Sequence, residues 1–273
     1  MDLSKTFDPQ HPLVLVGCGR MGGAMARGWL ERGLAPEAFV AIDPAGEPDF
    51  APDARHFSSI DEMPRDLAPA AVILAVKPYM VGQAVEQLAH LAEKDPLVIS
   101  VAAGIQLASL AAVFESSVRV MPNTPAAIGK GMMVAVAANA VSQAKKALAS
   151  DLMAAAGDVL WVDDESMMDA VTGVSGSGPA YIFALTEAMA AAGVVHGLPH
   201  DVASQLARQT IIGAAHLMEQ SPHMTASELR EQVTSPGGTT AAALDILRGE
   251  EGFGPLLEKA IGAATRRSQD LAK

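Results

Sequence analysis

One cysteine stands in the whole chain, and positive charge, aromatic rings and long apolar runs are also scarce. The lone Cys18 excludes an intramolecular disulfide and any cysteine-built zinc cage. Only 19 Lys and Arg face 31 Asp and Glu, a net charge of −12, and no basic stripe interrupts that excess. Such a surface repels phosphate backbones, so no nucleic-acid partner is expected. Aromatic residues make up 4% of the chain, so the core must come from Ala, Val, Leu, Ile and the 14 Met. That favours close-packed helices over an aromatic-rich β sandwich. No apolar run approaches the ~18 residues that a bilayer-spanning helix needs. The N-terminal MDLSKTFDPQHP also lacks the apolar centre of a signal peptide. The expectation is a soluble, cytoplasmic protein without a membrane partner.

What is present is apolar mass in an ordered pattern. Hydrophobic residues are 50% of the 273, with a mean hydropathy of +0.24, ample for a real core and for two domains. Short, mostly apolar runs recur at residues 13–16 (LVLV), 39–42, 71–76 (AVILAV) and 97–101, and residues 118–121, 132–137 and 159–162 add further strand candidates. Continuous rather than alternating runs mark parallel strands with helices on both faces. Helical patterns lie between them, so residues 1–162 are expected to form a doubly wound α/β domain. Past Asp163 the strands stop, and Ala-rich helical patterns over residues 163–273 predict an all-helical domain. Residues 179–195 (PAYIFALTEAMAAAGVV) are apolar on nearly every face, more than so small a domain can bury. Part of that surface is expected to meet a second subunit.

Gly17-Cys18-Gly19-Arg20-Met21-Gly22 spells G-x-G-x-x-G directly after the first strand and at the start of a helix. The first glycine makes a tight turn, the second lets a pyrophosphate approach the backbone, and the third packs helix on strand. Amides at the helix N-terminus then face the anion. Asp43 lies 21 residues beyond Gly22, where a carboxylate bonds the adenosine ribose hydroxyls and repels a 2′-phosphate. The cofactor is therefore NADH or NADPH, with Asp43 leaning toward NADH. Asp43 also reads as the start of an Asp-Pro turn, and nearby Arg55 could still accommodate NADPH. Cys18 invites a redox role because helix N-termini lower thiol pKa. With no second cysteine and a cofactor over it, it reads as a small filler. Ala75-Val76-Lys77-Pro78 and Ala102-Ala103-Gly104 fall at carboxyl ends of strands, where ligands bind in open α/β sheets.

Four more segments matter together: LAVKP (74–78), RVMPNTPA (119–126), AVTGVSGSGPAY (170–181) and VTSPGGTTAAAL (233–244). In that order behind the fingerprint, the chain resembles the pyrroline-5-carboxylate reductases over roughly residues 12–265. The resemblance implies NAD(P)H-dependent reduction of the cyclic imine L-Δ1-pyrroline-5-carboxylate to L-proline, the last step of proline biosynthesis. It implies a Rossmann-type domain and a helical domain that dimerises by interlocking, with dimers often assembling further into a decamer of five. It places the substrate carboxylate on Ser235, Gly237, Gly238 and Thr239, and the ring nitrogen at the Thr240 hydroxyl. It also puts Glu165 near the amine, where an acid at a solvated helix start is the other reading. Asn123 and Thr124 are expected to flank the nicotinamide, with a structural turn the other reading of Thr124. Two departures stand out: Tyr79 follows Lys-Pro where Gln is commoner, and residues 219–227 form a longer segment than usual.

The chemistry of such an imine fits these residues. Hydride must reach the imine carbon while the nitrogen gains a proton, which calls for anion donors, a hydroxyl and precise positioning rather than a metal. Pro236 ends any preceding helix, and Gly237-Gly238 leave the amides of the next helix uncovered for a carboxylate. Taken locally, the same residues also read as a turn and N-cap. The seven histidines show no metal-ligand spacing; Gly197 and Pro199 break the helix that would align His196 with His200. A reductase of β-hydroxy acids would want a lysine in the helical domain, which holds only Lys259 and Lys273, both late in the chain. A non-catalytic dinucleotide sensor would keep Gly17, Gly19 and Gly22 but lose the 235–240 constellation.

Overall fold

The computed structural model describes residues 3–271; Lys273 and the outermost ends of both expected domains lie outside them. The chain forms two compact units, one of the residues up to Gly176 joined by those from Thr265 onward, the other Ser177–Ala264.

The first unit is built on one eight-stranded sheet. Its strands are β1 (Leu13–Val16), β2 (Phe39–Ile42), β3 (Arg55–Phe57) and β4 (Ala71–Leu74), then β5 (Leu97–Ser100), β6 (Ser117–Met121), β7 (Gly131–Ala137) and β8 (Gly157–Trp161). Their spatial order is β3-β2-β1-β4-β5-β6-β7-β8. All neighbours run parallel except β7, which pairs antiparallel with β6 in the register Val118↔Ala137 to Met121↔Val134. The chain order reverses at β1, which pairs with β2 on one side and β4 on the other. A crevice at the carboxyl ends follows from such a switch point.

Helices α1 (Arg20–Glu31), α2 (Pro78–Leu88), α3 (Leu107–Ala111) and α4 (Gln143–Met153) accompany the sheet. Alternate side chains of β1 explain its unbroken apolar run. Leu13 and Leu15 join a core with Met25 and Trp29 of α1. Val14 and Val16 join another with Val81, Val85 and Leu88 of α2. Buried Trp29 also donates its indole N–H to the Leu152 carbonyl at 2.7 Å, tying α1 to α4. The unit's first segment closes with a short helix α5 (Met168–Val171) and a π-helical turn, Thr172–Gly176.

The second unit contains α6 (Gly178–Val195), α7 (His200–Gln220), α8 (Ala226–Gln232) and α9 (Thr239–Leu247); α10 (Phe253–Leu271) ends in the first unit. Helices α6 and α7 form a hairpin turned at Gly197, whose φ of +95° an L side chain would resist. The small side chains Ala203 and Ala207 are the buried apolar ones of this unit among the described residues. Apolar α6 buries none of its side chains. One sequence expectation is corrected here. Helical residues Glu165–Val195 hold a window long and apolar enough, by length and composition alone, to cross a bilayer. Gly, Ser and Thr interrupt its apolar runs, so run length did not register it.

Candidate functional site

The glycine loop adopts the shape its three glycines anticipate. Gly17 turns with φ +95°, and a Cβ there would lie 2.8 Å from the Ala75 carbonyl oxygen. A Cβ on Gly22 would lie 2.0 Å from the Gly17 carbonyl oxygen, so α1 can approach the turn only with glycine at that place. A Cβ on Gly19 would meet nothing within 4 Å. Gly19 is the N-cap of α1 and offers no side chain to cover the helix amides. That open cradle at a helix N-terminus fits a pyrophosphate.

Asp43 is fixed by two backbone amides: Cys18 N donates to Oδ2 at 2.6 Å and Ala45 N to Oδ1 at 2.8 Å. The turn reading of Asp43 is present in these bonds, and its carboxylate faces the glycine loop. Gly46 N donates to the Asp43 carbonyl at 3.3 Å, and each carboxylate oxygen keeps a lone pair beyond the amide it accepts from. Arg55 sends Nη2 to the Pro9 carbonyl at 3.0 Å and does not line the cleft. Burial pushes the Cys18 thiol up to about 12, with the Asp43 charge adding to the shift. Such a thiol stays protonated and inert at neutral pH.

A cleft of about 890 Å³ opens over the carboxyl ends of the strands, within the range of cofactor sites. Gly17, Gly19, Arg20, Met21 and Asp43 line it, as do Ala75, Val76, Lys77 and Pro78 at the entry to α2. Half-buried Cys18 and buried Gly22 do not line it. At the end of β5 it is Val101 that lines the cleft, with buried Ala102 and then Ala103 and Gly104 beyond it. Thr124 and Ala127 line it where Asn123 does not. Tyr79, 85% exposed, does not line it. Sequence reasoning missed the far lobe, where Ser58, Ser59 and Ile60 meet Met80, Gln83, Ala84 and Gln87 of α2. The spacing of those four α2 residues is the helical one-face pattern that would have disclosed them.

Asn123 and Glu165 are both engaged by the protein. Asn123 Oδ1 accepts from Met132 N at 2.9 Å, and Nδ2 donates to the Ser175 carbonyl at 3.2 Å, tying the start of β7 to the π-helical turn. Glu165 Oε1 accepts from Arg119 Nη1 at 2.6 Å and from Leu107 N, at the start of α3, at 2.7 Å. The Arg119 side chain is 6% exposed and that of Glu165 30%. Arg119 was not singled out from sequence; a lone cation inside the apolar run SVRVM was the available signal.

In the second unit, residues 233–240 form an open loop leading into α9. Thr234 Oγ1 bonds back to the Arg230 carbonyl at 2.6 Å and closes α8. Gly237 takes φ +71°, and Gly238 donates to the Ser235 carbonyl at 3.0 Å. Gly238 is the N-cap of α9 and supplies no side-chain cap. The amides of Thr239 and Thr240 therefore begin a helix with a bare positive end. Ahead of this loop, residues 221–224 turn into α8, whose Thr225 and Glu228 form a reciprocal capping box. Among the described residues, no three His, Cys, Asp or Glu side chains converge as metal ligands.

Known proteins match this arrangement along its length. A family model described as pyrroline-5-carboxylate reductase dimerisation matches residues 165–271. Another, described as NADP oxidoreductase, coenzyme F420-dependent, matches residues 12–104. The pyrroline-5-carboxylate reductase of Haemophilus influenzae is 38% identical, covering 96% of this chain and 98% of its own. The solved reductase from Coxiella burnetii superposes with a TM-score of 0.87 at 31% identity, over 97% of this chain and 99% of that one. The Plasmodium falciparum enzyme, solved with NADP bound, gives 0.77 at 28% identity with the same coverage. The chain belongs to the pyrroline-5-carboxylate reductase family.

Proposed function

We propose that this chain is an oxidoreductase that reduces L-Δ1-pyrroline-5-carboxylate to L-proline with a reduced nicotinamide cofactor. One observation carries this reading. The same chain holds a glycine cradle open at the N-terminus of α1 and a second bare helix start behind Ser235-Pro236-Gly237-Gly238. A bound reduced nicotinamide supplies the hydride. The chain's own part is to bind, orient and donate a proton. Gly17 and Gly19 hold the pyrophosphate, Asp43 the adenosine ribose, and Ala75 to Pro78 with Val101 and Thr124 flank the rest. Ser235, Gly237, Gly238 and Thr239 hold the substrate carboxylate. Thr240 places its hydroxyl at the ring nitrogen and relays to it a proton from solvent, regaining its own, as the adjacent carbon gains the hydride. Glu165, with Oε1 committed to Arg119 and Leu107, is left with Oε2 for the product amine.

Asp43 supports NADH as the preferred cofactor. Its carboxylate is held in place by two amides, and the one cation on the neighbouring strand, Arg55, is drawn to the Pro9 carbonyl. A 2′-phosphate would meet a fixed negative charge there. Residues 163–273 are proposed as the dimerisation and substrate-binding domain, with five dimers forming a decamer, in the cytoplasm.

Incubation with NADH and the imine should yield L-proline and NAD⁺ in equal amounts. A sample that binds NADH yet forms no proline overturns the assignment. Thr240→Ala should lower kcat by roughly 100-fold while leaving the NADH dissociation constant unchanged. An unchanged kcat removes Thr240 from the proton path.

A further inference from the structure

We propose that Gln87, oriented by Asp61, reads the amino edge of the cofactor's adenine, so that the cleft rejects a dinucleotide carrying hypoxanthine there. This rests on the cofactor reading above and adds a specificity-determining residue to it.

The cleft is lined by the start of α1, the end of β2 and one face of α2. Toward β2 it passes Asp43, the partner of a ribose diol, so the base attached to that ribose lies in the lobe beyond. That lobe lies between Ile60 and the face of α2 that carries Met80, Gln83, Ala84 and Gln87. Ile60 is 7% exposed and Ala84 4%, which makes firm apolar walls for a flat ring. The polar groups that α2 adds to this lobe are the amides of Gln83 and Gln87.

An isolated glutamine amide can present either its oxygen or its nitrogen to a ligand and so discriminates little. Gln87 is not isolated. Its Nε2 donates to Asp61 Oδ2 at 3.1 Å. An ionised carboxylate only accepts, so Asp61 holds the NH₂ end of the amide and leaves Oε1 as the group available to a base. Adenine carries an amino donor at position 6, which suits that oxygen. Hypoxanthine carries a carbonyl there, and two acceptors would then face one another without a proton between them. Such a mismatch costs more than the loss of a neutral contact. Gln83, one turn earlier on the same face, has no comparable partner among the described residues and can rotate to suit either base.

The test is equilibrium binding of NADH and of its hypoxanthine analogue to the intact protein, read by calorimetry without substrate. The analogue should bind at least about tenfold more weakly than NADH. Gln87→Ala should bring the two dissociation constants within about twofold of each other. Asp61→Asn should also shrink the difference, because an asparagine lets the Gln87 amide turn over; a residue that merely packs would not respond this way. Equal binding of both dinucleotides by the unaltered protein overturns the proposal while leaving the cofactor reading intact. So does a preference that survives Gln87→Ala. Failure of NADH and its analogue alike to bind overturns the proposal and the cofactor reading together.

Discussion

Strand β4 and helix α6 are both apolar almost throughout, yet every side chain of β4 is buried and none of α6 is. The reason lies in how many neighbours each finds within its own chain. β4 sits between β1 and β5, with helices on both sheet faces completing its surroundings. α6 packs on α7 through small residues such as Gly193 and Ala203, leaving Phe183 65% and Val195 82% exposed. Apolar surface of that extent marks an interaction site, and the family model matched here is a dimerisation domain. The first unit thus completes its own core, whereas the second leaves the apolar face of α6 open in the single chain.

That contrast can be broken from either side. The largest effect is expected from Phe183→Asp, which buries a charge wherever the second copy covers α6. A two-fold interface repeats the change. About 2 kcal/mol per copy becomes about 4, or roughly a thousandfold in dissociation constant. Light scattering should register the fall in mass; an unchanged mass would mean that α6 is not covered by its twin. Next comes Gly22→Ala, whose Cβ would strike the Gly17 carbonyl in the first unit. NADH should bind at least about tenfold more weakly while the assembly stays intact, as calorimetry and light scattering can separate.

Two smaller effects sharpen the comparison. Arg119→Met leaves Glu165 unpaired inside the first unit. A fully buried pair broken in this way costs about 3–5 kcal/mol. Because Glu165 keeps 30% exposure, about 2 kcal/mol is the expected loss in urea unfolding of that unit. The smallest belongs to α8 in the second unit. Bonds from the Thr225 amide and hydroxyl hold Glu228 below its ordinary carboxylate pKa. A depressed pKa adds stability above the unfolded value and loses it as pH falls through the folded one. Glu228→Ala should therefore lower the Tm at neutral pH, and the difference should fade in acid below about pH 4. A difference that persists there would assign the effect to propensity rather than to the cap.

The same contrast explains what could be read in advance. Strands β1, β2, β4 and β5 were legible because burial on both faces forces unbroken apolar runs. Edge strand β3, Arg55-His56-Phe57, was not, since a half-buried edge imposes no such run. The glycine loop was legible because close approach leaves no other residue at Gly17 and Gly22. The part of the cleft lined by α2 stayed hidden because Gln83 and Gln87 share that helix with a core face of Val81, Val85 and Leu88, which dominates the pattern. The pairing of Arg119 with Glu165 spans 46 positions, and no local spacing rule reaches that far. The apolar excess of residues 179–195 was legible as a call for a partner; the geometry of that partner is not a property of one chain.

The steady-state rate of NADH and NADPH oxidation, measured with the five-membered imine and with its six-membered homologue, tests the functional account most directly. The highest kcat/KM is predicted for pyrroline-5-carboxylate with NADH, since Thr240 and the bare start of α9 suit a compact ring and Asp43 opposes a 2′-phosphate. Protein that binds NADH but turns over neither cofactor with pyrroline-5-carboxylate would contradict it.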